Sequence, residues 1–166
     1  MGIEIERKFL VRGNAWRAQV SHSLRLCQAY LGGDRCSTRV RIEGDEARLN
    51  IKSRTTGIER LEFEYPIPMA DAEQMLTQLA GAQIDKVRHF VTMGDRLFEI
   101  DEFAGDNTGL IVAEVELPSI DADYPRPEWL GREVSDERRF LNLALVEAPF
   151  STWPDRAAIV LELQSC

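Results

Sequence analysis

Residues 3–9, Ile3-Glu4-Ile5-Glu6-Arg7-Lys8-Phe9, put Ile3, Ile5 and Phe9 on one parity and Glu4, Glu6 and Lys8 on the other, with Arg7 as the exception. A two-residue period marks a strand, because successive side chains leave a pleated backbone on opposite faces. The alternation returns over 58–67, where Leu61, Phe63 and Tyr65 alternate with Arg60, Glu62 and Glu64, and a further strand is expected over 109–117, GLIVAEVEL.

Working outward, 36–54 reads as a hairpin turning at Glu43-Gly44-Asp45, and 84–92 pairs with 96–103 through Met93-Gly94-Asp95. A turn at Thr55-Thr56-Gly57 leads into the 58–67 strand, and 27–31 starts another. Helices are expected over 14–26 behind Asn14, over 69–81 between Asp71 and Gly81, over 134–146 and over 155–164. Residues 118–133 are Pro-rich and read as irregular. Hairpin-linked strands with few helices point to an antiparallel α+β architecture, with a closed sheet as one way to resolve its edges. No repeat, low-complexity tract or linker divides the chain, so 1–166 is expected to be a single domain with a helical tail from about 147.

The chain has 166 residues, of which 44% are hydrophobic and 29% charged, a composition that excludes disordered, collagen-like and disulfide-framework classes. Its net charge of −8 argues against binding duplex nucleic acid through a general basic surface. No apolar run is long enough for a spanning helix, and a charged opening in place of an apolar leader implies no membrane and a cytoplasmic location. Cys27, Cys36 and Cys166 match no zinc spacing and read as reduced thiols.

The charged strand faces are sorted by sign. Glu4/Glu6, Glu62/Glu64, Glu99/Asp101 and Glu114/Glu116 are acidic pairs two residues apart; Arg39/Arg41, Lys52/Arg54 and Lys86/Arg88 are basic ones. The members of each pair share a face of the sheet about 6–7 Å apart. A single such pair reads as a solvated face, but a solvated sheet gains by interleaving opposite signs, since like neighbours repel. Repeated sorting points to a ligand that relieves it. Carboxylate pairs without His or Cys suit hard divalent cations, Mg²⁺ or Mn²⁺, and clustered Arg and Lys suit phosphate oxygens. Together they imply a polyanionic phosphate substrate carrying metal. The chain is Arg-rich, and its only lysines, Lys8, Lys52 and Lys86, all fall in expected strands.

These residues resemble a known family. Glu4-Ile5-Glu6-Arg7-Lys8 matches the ExExK signature of the CYTH superfamily, the triphosphate tunnel metalloenzymes, and the likeness continues in order through Gln28-Ala29-Tyr30-Leu31, Arg39-Val40-Arg41, Ile51-Lys52-Ser53, Arg60-Leu61-Glu62-Phe63-Glu64, Lys86-Val87-Arg88, Phe98-Glu99-Ile100-Asp101, Val112-Ala113-Glu114-Val115-Glu116 and Arg139-Phe140-Leu141-Asn142. The resemblance implies an eight-stranded antiparallel barrel that hydrolyses or transfers a linear triphosphate group with divalent metal, expected as two ions. The short bacterial members that open as this chain does resemble inorganic triphosphatases, splitting tripolyphosphate to pyrophosphate and phosphate.

Carried over by position, the resemblance implies that Glu4, Glu6, Glu114 and Glu116 hold metal, with Glu62, Glu64 and Asp101 serving a second ion or its waters. Lys8, Arg39, Arg41, Lys52, Lys86, Arg88 and Arg139 would grip phosphate, and Tyr30 would fix Lys8 near the scissile phosphate. Phe140 and Leu141 depart from the family's Tyr and polar residue, and His22 and His89 are read as packing groups. The sequence leaves open a class IV adenylate cyclase, a thiamine or nucleoside triphosphatase, and a non-catalytic polyphosphate- or nucleotide-binding module. It also leaves open whether the chain is a monomer or a homodimer.

Overall fold

The computed structural model describes residues 2–31, 36–53, 58–81 and 83–165. Arg54, the 55–57 turn and Cys166 lie outside the described residues. Nine strands form one sheet: β1 (Gly2–Val11), β2 (Val20–Tyr30), β3 (Cys36–Glu43), β4 (Glu46–Ser53), β5 (Glu59–Pro66), β6 (Gln83–Met93), β7 (Arg96–Phe103), β8 (Ile111–Glu116) and β9 (Leu130–Glu133). The spatial order is β5-β4-β3-β2-β6-β7-β8-β1-β9, and a further β5–β1 pairing closes the first eight into an antiparallel barrel. Closure removes the sheet edges. The helices are α1 (Met69–Gln78), α2 (Asn142–Glu147) and α3 (Arg156–Gln164).

Both expected hairpins form with tight turns. Gly44 and Gly94 sit at φ +58° and +63°, the left-handed region that a two-residue turn requires and that glycine enters without penalty. The expected helix over 14–26 does not form. A single 3-10 turn (Ala15–Gln19) precedes β2, which pairs with β6 from Val20 to Ala29. That partner lies some sixty residues away in the chain, and sheet pairing overrides weak local helix propensity. The irregular 118–133 segment contains β9, which pairs along β1 at Phe9 and Val11. In place of one helix over 134–146, a 3-10 turn (Arg138–Phe140) leads into α2.

Apolar residues cover the outside of the barrel and plug one end. Phe9, Val91, Phe98, Ile100, Ala113 and Val115 pack under Trp16, Trp129 and Leu130, while Ala29, Val40 and Ala47 pack under Ala72 and Leu76 of α1. Leu10, Ile84, Phe103 and Val112 meet Phe140, Leu145, Phe150, Trp153 and, from α3, Ile159 and Leu163. The remaining parity faces inward and carries the charged residues, except on β2, which contributes Leu26, Gln28 and Tyr30. Among the described residues, no helix is long and apolar enough to cross a membrane.

Candidate active site

Strand register brings the inward charges together. Glu6 faces Glu116 and Lys8 faces Glu114 across β1/β8, Glu99 faces Glu114 across β7/β8, and Arg88 faces Asp101 across β6/β7. On the other side of the barrel Glu4 faces Arg60, Lys52 faces Glu62, and Arg39 faces both Tyr30 and Asn50.

The layer next to the apolar plug is closed and paired. Lys8 Nζ lies 2.7 Å from Glu114, whose other oxygen accepts from Arg88 at 2.9 Å. Arg88 also forks onto Asp101 with two 2.7 Å bonds, reaches Glu99, and leaves Lys86 to ion-pair with Asp101. Burial works against every charge here, but the partners decide the outcome. Glu114 is held well below the usual carboxylate range by Lys8 and Arg88, and Asp101 is lowered by Arg88 and Lys86. Burial would depress Lys8, yet Glu114 and Glu6 keep it above the ordinary lysine value. For Lys86 burial wins, bringing the ammonium down to about 8.

Beyond this layer the tunnel divides by charge. A chamber of about 250 Å³ is walled by Lys8, Tyr30, Arg39, Lys52, Arg60 and Arg138 and covered by Leu141, Asn142 and the start of α2. A second, of about 410 Å³, continues from it past Arg39, Lys52, Arg60 and Asn142 to the carboxylates Glu4, Glu6, Glu62, Glu64, Glu99, Glu114 and Glu116, with Arg41 and Arg88 also in its wall. A smaller opening between β1, β7 and β8 is lined by Glu4, Glu6, Asp95, Glu99, Glu114 and Glu116 against Arg96 alone.

Pairing in this upper part is incomplete. Lys52 donates to both Glu4 oxygens at 2.9 Å and lies 3.1 Å from Glu62, while Asn50 donates to Glu62 at 2.9 Å and also to Glu64. Arg41 reaches Glu64 at 3.3 Å, and its guanidinium is lowered by burial and by Arg39. Despite burial, Lys52 holds Glu62 low and Arg48 and Asn50 hold Glu64 low. Among the described residues Arg39 and Glu116 have no ion-pair partner, and Arg39 Nε is buried without a hydrogen bond. Glu116 stands at the exposed mouth, where the protein around it, then Glu4, Glu62 and Glu6, push its carboxyl above the usual range.

The donor set fits a hard divalent cation. Its oxygens are all carboxylate, Glu6 and Glu116 face each other with like charge, and a +2 ion between them would remove that repulsion. Among the described residues no three acidic side chains are preassembled as a metal-ligand set. Amino and guanidinium groups hold most of their oxygens instead.

Most residues that the resemblance nominated converge here, and three do not fit the roles expected of them. Asp101 is buried and bonded by Arg88 and Lys86, and neither it nor Lys86 borders the chambers, so the two form the layer beneath the tunnel rather than its wall. Arg139 points away: it bonds Asp155 at 2.7 Å and lies over the Trp153 ring. Its neighbour Arg138 borders the basic chamber. Tyr30 shares that chamber with Lys8, whose ammonium is bonded to Glu114, and burial raises the phenol. Phe140 is a core residue stacked edge-on against Trp153, whereas Leu141 does reach the chamber. His22 stacks on Phe90, and His89 packs against Trp16 outside the barrel. Arg60, Asn50, Arg138 and Asn142 were not nominated. Arg60 shared the parity of Glu62 and Glu64, a signal that was available.

A CYTH domain model matches residues 2–146. The chain is 40% identical over 157 residues to an inorganic triphosphatase of Acetivibrio thermocellus, covering 93% of this chain and all of that one. It is 36% identical over 147 residues to an inorganic triphosphatase of Nitrosomonas europaea, covering 86% and 95%. The crystal structure of the inorganic triphosphatase NE1496 superposes with a TM-score of 0.60 at 34% identity, over 86% of this chain and 97% of that one. Barrel, inward charge and sequence likeness agree: the chain belongs to the CYTH domain family.

Proposed function

We propose that this protein hydrolyses inorganic triphosphate to pyrophosphate and phosphate inside the barrel, with a divalent metal, Mg²⁺ or Mn²⁺. The observation that carries the reading is the enclosed tunnel, basic at one end and acidic at the other, in a chain whose relatives are named inorganic triphosphatases. A linear triphosphate presents oxygens to the first end and metal to the second.

Phosphoryl transfer depends mostly on positioning and charge neutralisation, which fixed side chains supply without reorganisation. Arg39, which has no ion-pair partner among the described residues, is free to grip phosphate oxygen, and Lys8, Lys52 and Arg138 share its chamber. Glu4, Glu6 and Glu116 are the carboxylates placed to hold metal, with Glu62 and Glu114 beside them. A divalent metal held by these carboxylates would supply charge neutralisation and help ionise water. In the hydrolysis a water oxygen bonds to a terminal phosphorus, the P–O bond to the bridging oxygen breaks, and its electron pair leaves with pyrophosphate. The basic chamber receives that charge, and the water's proton passes to a carboxylate or to solvent. Asp101 is an unsuitable acceptor because Arg88 and Lys86 already bind it.

The test is phosphate release from tripolyphosphate with Mg²⁺ and with Mn²⁺, beside ATP, with EDTA as the blank. Metal-dependent release that favours tripolyphosphate is expected. Preference for ATP would move the reading to a nucleoside triphosphatase, and binding without release to a polyphosphate-binding module.

A further inference from the structure

We propose that Arg60 is the internal counter-ion of the Glu4–Glu6 pair, which gives those carboxylates up to a divalent cation and turns its guanidinium to the phosphate chain when substrate enters. This inference rests on the triphosphatase reading above. Arg60 Nε donates to Glu4 at 2.7 Å and its terminal nitrogen donates to Glu6, so one guanidinium bridges both acids of the signature motif. Lys52 also binds Glu4, but no described cation besides Arg60 pairs with Glu6.

Arg60 is placed to move between two roles. It borders the basic chamber, the acidic chamber and a narrow recess beside Lys8 and Arg138, and its side chain keeps 21% of its surface exposed. Arg88 also joins two acidic strands, yet with 7% exposure and four carboxylate contacts it is fixed. An arginine cannot yield to a metal by losing its proton, so Arg60 must leave by rotating. Rotation carries it toward Lys8, Arg39, Lys52 and Arg138, an unfavourable place for another cation unless phosphate is already there.

Metal alone is therefore expected to bind weakly and polyphosphate to strengthen it, each raising the other's affinity by the same factor. The counter-ion also lets the empty barrel fold without leaving Glu6 uncompensated beside Glu4.

Mn²⁺ binding without substrate, read from the electron paramagnetic resonance signal of the free ion, tests the proposal in wild type, Arg60→Gln, Arg60→Lys and Glu6→Gln. Removing the competing charged hydrogen bonds in Arg60→Gln is expected to tighten Mn²⁺ binding on the order of tenfold. Arg60→Lys, which lacks the fork needed to span both acids, is expected to fall between it and wild type, and it provides the same direction should Arg60→Gln melt too low to titrate. Glu6→Gln should weaken binding. A merely structural Arg60 predicts equal or weaker Mn²⁺ binding in both arginine variants, and that result, with Glu6→Gln still weakened and wild type still releasing phosphate, overturns the counter-ion alone. No Mn²⁺ bound by any form, with no phosphate released, overturns the functional reading as well.

Discussion

The two ends of the charged interior treat their charges differently. Next to the apolar plug, Lys8, Lys86, Arg88, Asp101 and Glu114 are all buried and all ion-paired. Toward the open end Arg39 and Glu116 lack ion-pair partners among the described residues, and Glu6 faces Glu116 directly. A buried ion pair roughly offsets its own desolvation, so the lower layer holds the barrel's shape without stabilising it much. The upper layer leaves electrostatic free energy to be recovered by a ligand. Breaking a pair in the first region is costly, because it strands a buried charge, whereas the charges of the second are open to a ligand.

The largest expected effect sharpens that contrast. Asp101→Asn strips Arg88 and Lys86 of their shared anion and should cost about 3–5 kcal/mol in urea unfolding, because it leaves buried charge uncompensated. Arg39→Gln should cost less than about 1 kcal/mol, since no protein ion pair is lost, while reducing stabilisation by tripolyphosphate severely. Equal destabilisation by the two would break the division.

Smaller effects are expected from pH. Glu114 is depressed, so its contribution is complete above the ordinary glutamate range and is lost as pH falls through its lowered value. Glu116 is raised, so its contribution is complete below that range and is lost as pH rises through its elevated value. Thermal unfolding followed across pH should show a flatter acid limb in Glu114→Gln and a flatter decline on the other side in Glu116→Gln.

The smallest separates two adjacent arginines. Arg138→Ala should raise the KM for tripolyphosphate severalfold with unchanged unfolding. Arg139→Ala should leave KM alone and cost up to about 1 kcal/mol through the lost Asp155 pair and Trp153 contact.

Much of this was legible in the sequence wherever chemistry followed a two-residue period. The pairs on β1, β3 and β8 point inward because their opposite parity is apolar and packs outside, whereas on β5 the outward Leu61 and Tyr65 stay half exposed and pairing with β1 and β4 sets the facing. Legibility failed where position depends on distant partners. Residues 20–26 become strand only because β6 lies alongside, and Arg138 rather than Arg139 faces the chamber because a 3-10 turn, with no strand parity to read, sets their directions. Asp101 and Glu114 look alike as members of acidic pairs, but register sets Asp101 level with Val112 of the plug and Glu114 one step nearer the opening, level with Glu99, so only Glu114 borders the acidic chamber. Arg60 was visible yet masked by its acidic neighbours, and only register showed it bridging Glu4 and Glu6.

The most direct measurement of the central claim is tripolyphosphate turnover by Glu116→Gln, with the unfolding midpoint of the same preparation taken alongside. An exposed carboxylate with no cation partner among the described residues should be dispensable for folding, so the unfolding free energy should stay within about 0.5 kcal/mol of wild type or rise as repulsion from Glu4, Glu62 and Glu6 is removed. Metal-dependent turnover should fall by about two orders of magnitude or more, the loss of several kcal/mol of transition-state stabilisation. Full turnover in the variant, or a loss that follows a collapse of the midpoint, would contradict the claim that charge left unpaired at the open end is there for metal and substrate.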